Sequence, residues 1–218
     1  MKKLVSAAVA LGGLVMLAGA AVAADQLIQG RLLIVKDPTG GVDPNRRNVL
    51  VVALERGTSG QITGNPTADV GGGAVLKIFA NGANPTSQTF DLPQGTSSTG
   101  RPFWSSIGSS GFKYRDPKGE NSAVKTLAIK KSPAGLFLIK AIVAGKIGQV
   151  DVVPPDPGTD GYATLRLGGG DRYCVKYGAD GQVRNHADKI FSVKKPVAEG
   201  CYGSPSRAFL DAPSSLLD

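Results

Sequence analysis

The feature that most constrains this chain is the pattern of its apolar residues. They fall in short β-branched or alternating runs, each closed by Gly, Pro, Asn or Asp. Residues 47–54 (RNVLVVAL) are apolar on both faces, as expected of a central strand. Residues 30–36, 74–80, 89–92, 112–115, 136–143, 163–167, 172–177 and 189–193 read as further strands, and so do residues 149–153. Residues 124–130 alternate, with Lys125, Leu127 and Ile129 on one face and Val124, Thr126 and Ala128 on the other. Turn signals sit between them. Asp116-Pro117-Lys118-Gly119 has Pro at the favoured second position, and Ser132-Pro133-Ala134-Gly135 makes a hairpin loop. No segment after residue 24 shows helical periodicity. About ten short strands separated by turns predict an all-β fold, an antiparallel β-sandwich of jelly-roll-like or related type. The 30 Gly and 14 Pro fit that many turns.

The N-terminus sets the compartment. Met1-Lys2-Lys3 is a positive start, residues 4–17 are apolar, and Ala21-Val22-Ala23 meets the small-x-small rule for signal peptidase. Residues 1–23 therefore read as a cleaved signal peptide, with cleavage after Ala23 or Ala24. The rival reading is an uncleaved anchor, since residues 4–24 are long enough to cross a bilayer. No Cys follows the apolar stretch to take a lipid, and no later stretch is apolar enough to span. Residues 24–218 are expected to form one β-sandwich domain, secreted or periplasmic and not integral to the membrane once cleaved.

Export also bears on the two cysteines, Cys174 and Cys201. In an oxidising compartment a lone pair closes a disulfide. Two free thiols or a metal site are the alternatives, but two Cys and a single His, His186, fall short of a structural zinc set. Cys174 stands between Tyr173 and Val175, so its side chain is expected to face inward or lie against a neighbouring strand. A bridge would hold the C-terminal segment, which has little apolar pattern after Val193, to the sheet.

Candidate chemistry is sparse. His186 is expected in a polar loop, residues 184–188, and no G-x-S-x-G elbow accompanies it. Most of the 14 Asp stand beside Pro or Gly, which is turn chemistry rather than the paired carboxylates of a glycosidase. No catalytic residue is assigned, and the chain reads as more consistent with a non-enzyme. Asp151, Asp156 and Asp160 share a Pro/Gly loop and are the candidate ligands for Ca²⁺, the one cofactor considered. The sole Trp, Trp104, and Tyr114 are the candidate sugar-stacking aromatics if exposed, and core if buried. The formal charge of +8 is spread in pairs rather than runs. It suits an anionic partner or solubility alone, and without a recognised motif it does not indicate nucleic acid.

A resemblance runs through these elements. Residues 111–119 (GFKYRDPKG), the lysine-rich hairpin from Val124 to Lys140, and residues 165–174 (LRLGGGDRYC) resemble an uncharacterised family of exported bacterial all-β proteins. Residues 32–37, the Asp91-Leu92-Pro93 element and a Cys near the end fit as well. Many such proteins have Cys-Pro where this chain has Cys201-Tyr202. The resemblance covers nearly all of residues 24–218, implies a single module and brings no assigned activity. Together these readings predict an exported, non-enzymatic β-sandwich module with a structural or binding role. Envelope glycans or another envelope protein are the expected partners. The alternatives are a carbohydrate-active protein, either a sugar-binding module or a glycoside hydrolase, and a calcium-dependent adhesin.

Overall fold

The structure, a computed structural model, describes residues 24–202. The expected signal peptide and the last sixteen positions lie outside the described residues. Twelve strands form one curled mixed sheet: β1 (Asp25–Lys36), β2 (Asn48–Glu55), β3 (Ala74–Gly82), β4 (Thr86–Leu92), β5 (Trp104–Ser106), β6 (Gly111–Arg115), β7 (Val124–Lys131), β8 (Phe137–Ala144), β9 (Gly158–Leu167), β10 (Arg172–Tyr177), β11 (Gln182–His186) and β12 (Ile190–Lys194). Their order is β4-β3-β9-β10-β1-β2-β8-β7-β6-β5, with β12 also on β1 and β11 on β12. Among the described residues no helix is long and apolar enough to cross a membrane.

The sheet becomes a sandwich because β1 serves both layers. Residues 25–29 pair in parallel with β10, and residues 32–36 pair antiparallel with β12. The change falls at Gly30, where the register with β2 also shifts between Gly30 and Leu32. A Cβ at Gly30 would run into the Lys176 carbonyl oxygen, so the crossing of the layers requires glycine. The smaller layer is β4-β3-β9-β10 with the first half of β1. The larger is β11-β12-β1-β2-β8-β7-β6-β5. Between them Phe137 of β8 meets Tyr173 of β10, with ring centroids 5.7 Å apart. A Cβ at Gly161 of β9 would strike Leu33 of β1, so the layers touch there without a side chain on one side. The two ends of the curl also meet, where the Trp104 indole N–H on β5 donates to the Leu92 carbonyl on β4 at 3.0 Å. One continuous apolar core fills the interior.

The all-β sandwich read from the sequence is what forms, but the sheet is mixed rather than antiparallel because the first half of β1 runs parallel to β10, and there are further differences of local cause. Residues 149–153 are not a ladder strand. Val150 and Val152 are buried, but the N–H groups of Asp151 and Val153 go to Gln88 Oε1 and Thr86 Oγ1 at 2.8 and 3.1 Å. Side chains on β4 thus do the work of a partner backbone. In β7 both Val124 and Leu127 are buried, because a register shift at Lys125 breaks the alternation. His186 ends the exposed edge strand β11 rather than lying in a loop. The β1–β2 turn is fastened by the buried Asp37, which accepts from Arg47 Nε at 2.8 Å, Thr39 Oγ1 at 3.1 Å and the Gly41 N–H at 3.1 Å.

Candidate binding surface

Two of the aromatic candidates belong to the interior. Trp104 is 3 % exposed and Tyr114 is fully buried, their ring centroids 5.2 Å apart. Neither offers a face to a sugar, so their assignment as binding residues is corrected to core. They stand opposite each other across the β5–β6 pair, which turns both inward against the curled sheet. Tyr114 O–H lies 3.4 Å from Asp116 Oδ2. Burial first, and the Asp116 charge second, push the phenol well above its ordinary range. Asp116 itself is buried and accepts from the N–H groups of Glu120, Asn121 and Ser122 at 2.9, 2.8 and 3.2 Å. The Tyr-Arg-Asp-Pro-Lys-Gly run is therefore a turn clasp.

The candidate calcium ligands do not converge. Asp151 is exposed and held by Gln149 Nε2 at 2.9 Å, Asp156 is exposed beside Pro157, and Asp160 accepts from Thr159 Oγ1 at 3.2 Å. Their carboxylates form no group compact enough for an ion, and those of Asp151 and Asp160 are engaged by neighbouring side chains. His186 is exposed on β11, its carbonyl accepting from the Lys189 N–H at 2.9 Å.

The cysteines do pair: Cys174 and Cys201 form a disulfide with Cα atoms 4.9 Å apart. The bond lies on the outer face of the smaller layer, not inside. Tyr173 and Val175 point into the core, and Cys174 stands in the opposite row with Leu27 and Thr164. The chain after β12 runs back across this face. Tyr202 stacks on the outward Phe79 at 3.8 Å between centroids and meets Tyr162 edge-on at 5.5 Å. The start of this segment is fixed by Asp180, whose Oδ2 accepts from the N–H groups of Val197 and Ala198 at 2.6 and 2.9 Å. Those two bonds hold the Asp180 carboxyl below the ordinary carboxylate range.

The outer face of the larger layer has no such cover among the described residues. Its cross-strand rows are set by register. Ile34 pairs with Leu50, and Leu50 with Ile142; Leu32 pairs with Val52, Val52 with Lys140, Lys140 with Ala128, and Ala128 with Lys113; Leu54 pairs with Leu138 and Leu138 with Lys130. The aliphatic members are half-buried and the lysines exposed. The outward positions of β1, β2, β6, β8 and β12 and of β7 beyond its register shift carry Lys36, Lys113, Arg115, Lys130, Lys140 and Lys194 and no Asp or Glu. None of these six cations takes part in an ion pair among the described residues. The result is an aliphatic sheet face set with unpaired positive charge.

This face was not identified from the sequence, although its signal was there. Residues 47–54 are apolar on both faces, and in a two-layer sandwich only one face of a strand meets the core. The outward Leu50, Val52 and Leu54 were the clue. Comparison with protein-family models, with curated proteins and with solved structures gave no match to this chain.

Proposed function

We propose that this chain is an exported, non-enzymatic binding module of the bacterial cell envelope or secreted fraction, and that it binds through the outer face of its larger layer. The carrying observation is the aliphatic face with six unpaired cations and no carboxylate at its outward positions. Half-buried aliphatic rows running across a sheet face offer contact area, and a single sign of charge selects the partner. Export rests on the positive start, apolar stretch and small-residue site of residues 1–23, and membership of the exported family resembled above is part of the same reading. The disulfide fits an oxidising compartment. The experiment is co-sedimentation of the exported protein with isolated bacterial envelope. Lys113→Glu with Lys140→Glu should release it while leaving the circular dichroism and melting temperature unchanged. Retention equal to that of the unaltered protein would overturn the assignment of this face.

A second reading, sugar binding, has one observation in its favour. A groove of about 580 Å³ between residues 61–64, the β5–β6 turn and the β7–β8 turn is lined by Gln61, Ser106, Ser109, Ser110, Ser132 and the half-buried Phe112. A ring edge among hydroxyls suits a saccharide. No Asp or Glu lines the groove, so it holds no carboxylate pair for hydrolysis. Loss of glycan binding in Phe112→Ala, with the face variant unaffected, would favour this reading.

A further inference from the structure

At one end of the open face lies a smaller groove of about 330 Å³, formed where β1 and β2 meet the chain after β12. Arg31, Arg56 and Lys195 line it, with Gln29, Leu54 and Val197. No Asp or Glu lines it, and none of the three cations is in an ion pair among the described residues. Glu55, next to Arg56 in sequence, belongs to the inner side: it pairs with the buried Phe137, and its Oε2 is out of solvent. We propose that this groove takes the phosphate-bearing headgroup of an anionic membrane lipid, so that the module docks on a lipid surface. The inference rests on the reading of the open face as the binding face and names what that face binds.

Three features point to a lipid rather than a free anion or a second copy of the chain. First, the groove is continuous with the aliphatic rows. Leu54 lines it and also pairs with Leu138 on the open face, and Val197 at its rim is 69 % exposed. A soluble phosphate would leave those aliphatic groups in water, whereas an amphiphile covers them while the long cationic side chains reach the headgroup layer. Second, charge disfavours self-association. A two-fold dimer through this face would set the same lysines and arginines against one another with no carboxylate at the outward strand positions to pair them. Third, the groove wall is fixed before any ligand arrives. The Lys195 N–H donates to the Arg31 carbonyl at 2.9 Å, and Lys195 adopts a left-handed φ of 50°. Asp180 holds Val197 and Ala198, and the disulfide anchors Cys201 a few residues on. A wall already ordered costs little entropy on binding.

The test is co-sedimentation of the exported protein with vesicles of phosphatidylcholine alone and of phosphatidylcholine with phosphatidylglycerol. Binding is expected only to the second, weakening as salt rises. The triple variant Arg31→Gln, Arg56→Gln, Lys195→Gln should lower it about a hundredfold, from about fivefold for each cation removed near an anionic surface. All three side chains are solvent-exposed, so the melting temperature should hold, and Arg56→Gln alone, with about a fivefold loss, serves if the triple variant does not fold. Equal binding to both vesicle types, or undiminished binding by the triple variant, overturns the proposal. So does inorganic phosphate at millimolar concentration displacing the protein from vesicles far better than chloride of equal ionic strength, which would make the groove a free-anion site. Failure on vesicles together with retention on isolated envelope overturns the lipid but leaves the open face as the binding surface.

Discussion

The two outer faces of the sandwich start from similar material and end differently. Each carries apolar groups in its outward rows, Phe79 and Leu27 on the smaller layer and Leu32, Leu50, Val52 and Leu138 on the larger. On the smaller layer the chain covers part of its own face, with Cys201 bonded to Cys174 and Tyr202 laid on Phe79, while Leu27 and Val75 stay exposed. That cover leaves Phe79 only 6 % exposed, although it points away from the core. On the larger layer lysines and arginines separate the aliphatic residues instead. Apolar surface on a sheet is either buried by the chain itself or made tolerable in water by charge, and the larger layer relies on the second course throughout.

The largest effect should come from breaking the cover. Replacing both cysteines by Ser is expected to destabilise the protein by about 3–4 kcal/mol in the chain-entropy model for a loop of 27 residues. In hydrogen exchange, reduction should expose the amides of Val197 and Ala198 before those of β9 or β10. Next, Phe79→Ala should cost about 3 kcal/mol in urea denaturation, as for a buried aromatic, whereas Val52→Ala on the open face should cost under about 1 kcal/mol. Equal costs would mean that the faces are equally covered.

pH sharpens the contrast further. The Asp180 carboxyl, held low by the Val197 and Ala198 N–H groups, stabilises the covering segment fully above the ordinary carboxylate range, and that stability is lost as pH falls through its lowered value. Asp37 behaves alike: burial raises its carboxyl, but the bonds from Arg47, Gly41 and Thr39 outweigh burial and leave it lowered. Acid should therefore loosen the cover and the β1–β2 turn while the open face, which carries no outward carboxylate, contributes nothing to the transition. At the alkaline end Tyr114 and Tyr177 are raised chiefly by burial, so stability is complete below about pH 10 and falls as pH rises through their higher values. Tyrosinate absorbance should show these rings titrating only as the core opens. The smallest effect is on stability at the open face. Lys113→Gln with Lys140→Gln should move the unfolding free energy by less than about 0.5 kcal/mol.

Much of this was legible in the sequence. Turn residues and alternation gave the sandwich and most strands, and the lone cysteine pair gave the bridge. Legibility failed where neighbours decide. The inward turn of Trp104 and Tyr114 depends on the closure of β5 onto β4, which no local pattern records. The outward placement of Cys174 was legible after all, since β10 alternates Arg172, Cys174 and Lys176 with Tyr173, Val175 and Tyr177, and only the second row is apolar throughout. The cationic face was hidden because its members come from β1, β2, β6, β7, β8 and β12 and meet only through register.

The most direct test of the open face as the binding surface is lysine footprinting of the exported protein, free and bound to isolated envelope, with an acetylating reagent read by mass spectrometry. Both faces carry lysines, among them Lys113, Lys130, Lys140 and Lys194 on the open one and Lys77 and Lys176 on the covered one. The account predicts that binding protects the first four and leaves Lys77 and Lys176 as reactive as in the free protein. Protection of Lys77 and Lys176 with Lys113 and Lys140 still reactive would contradict it.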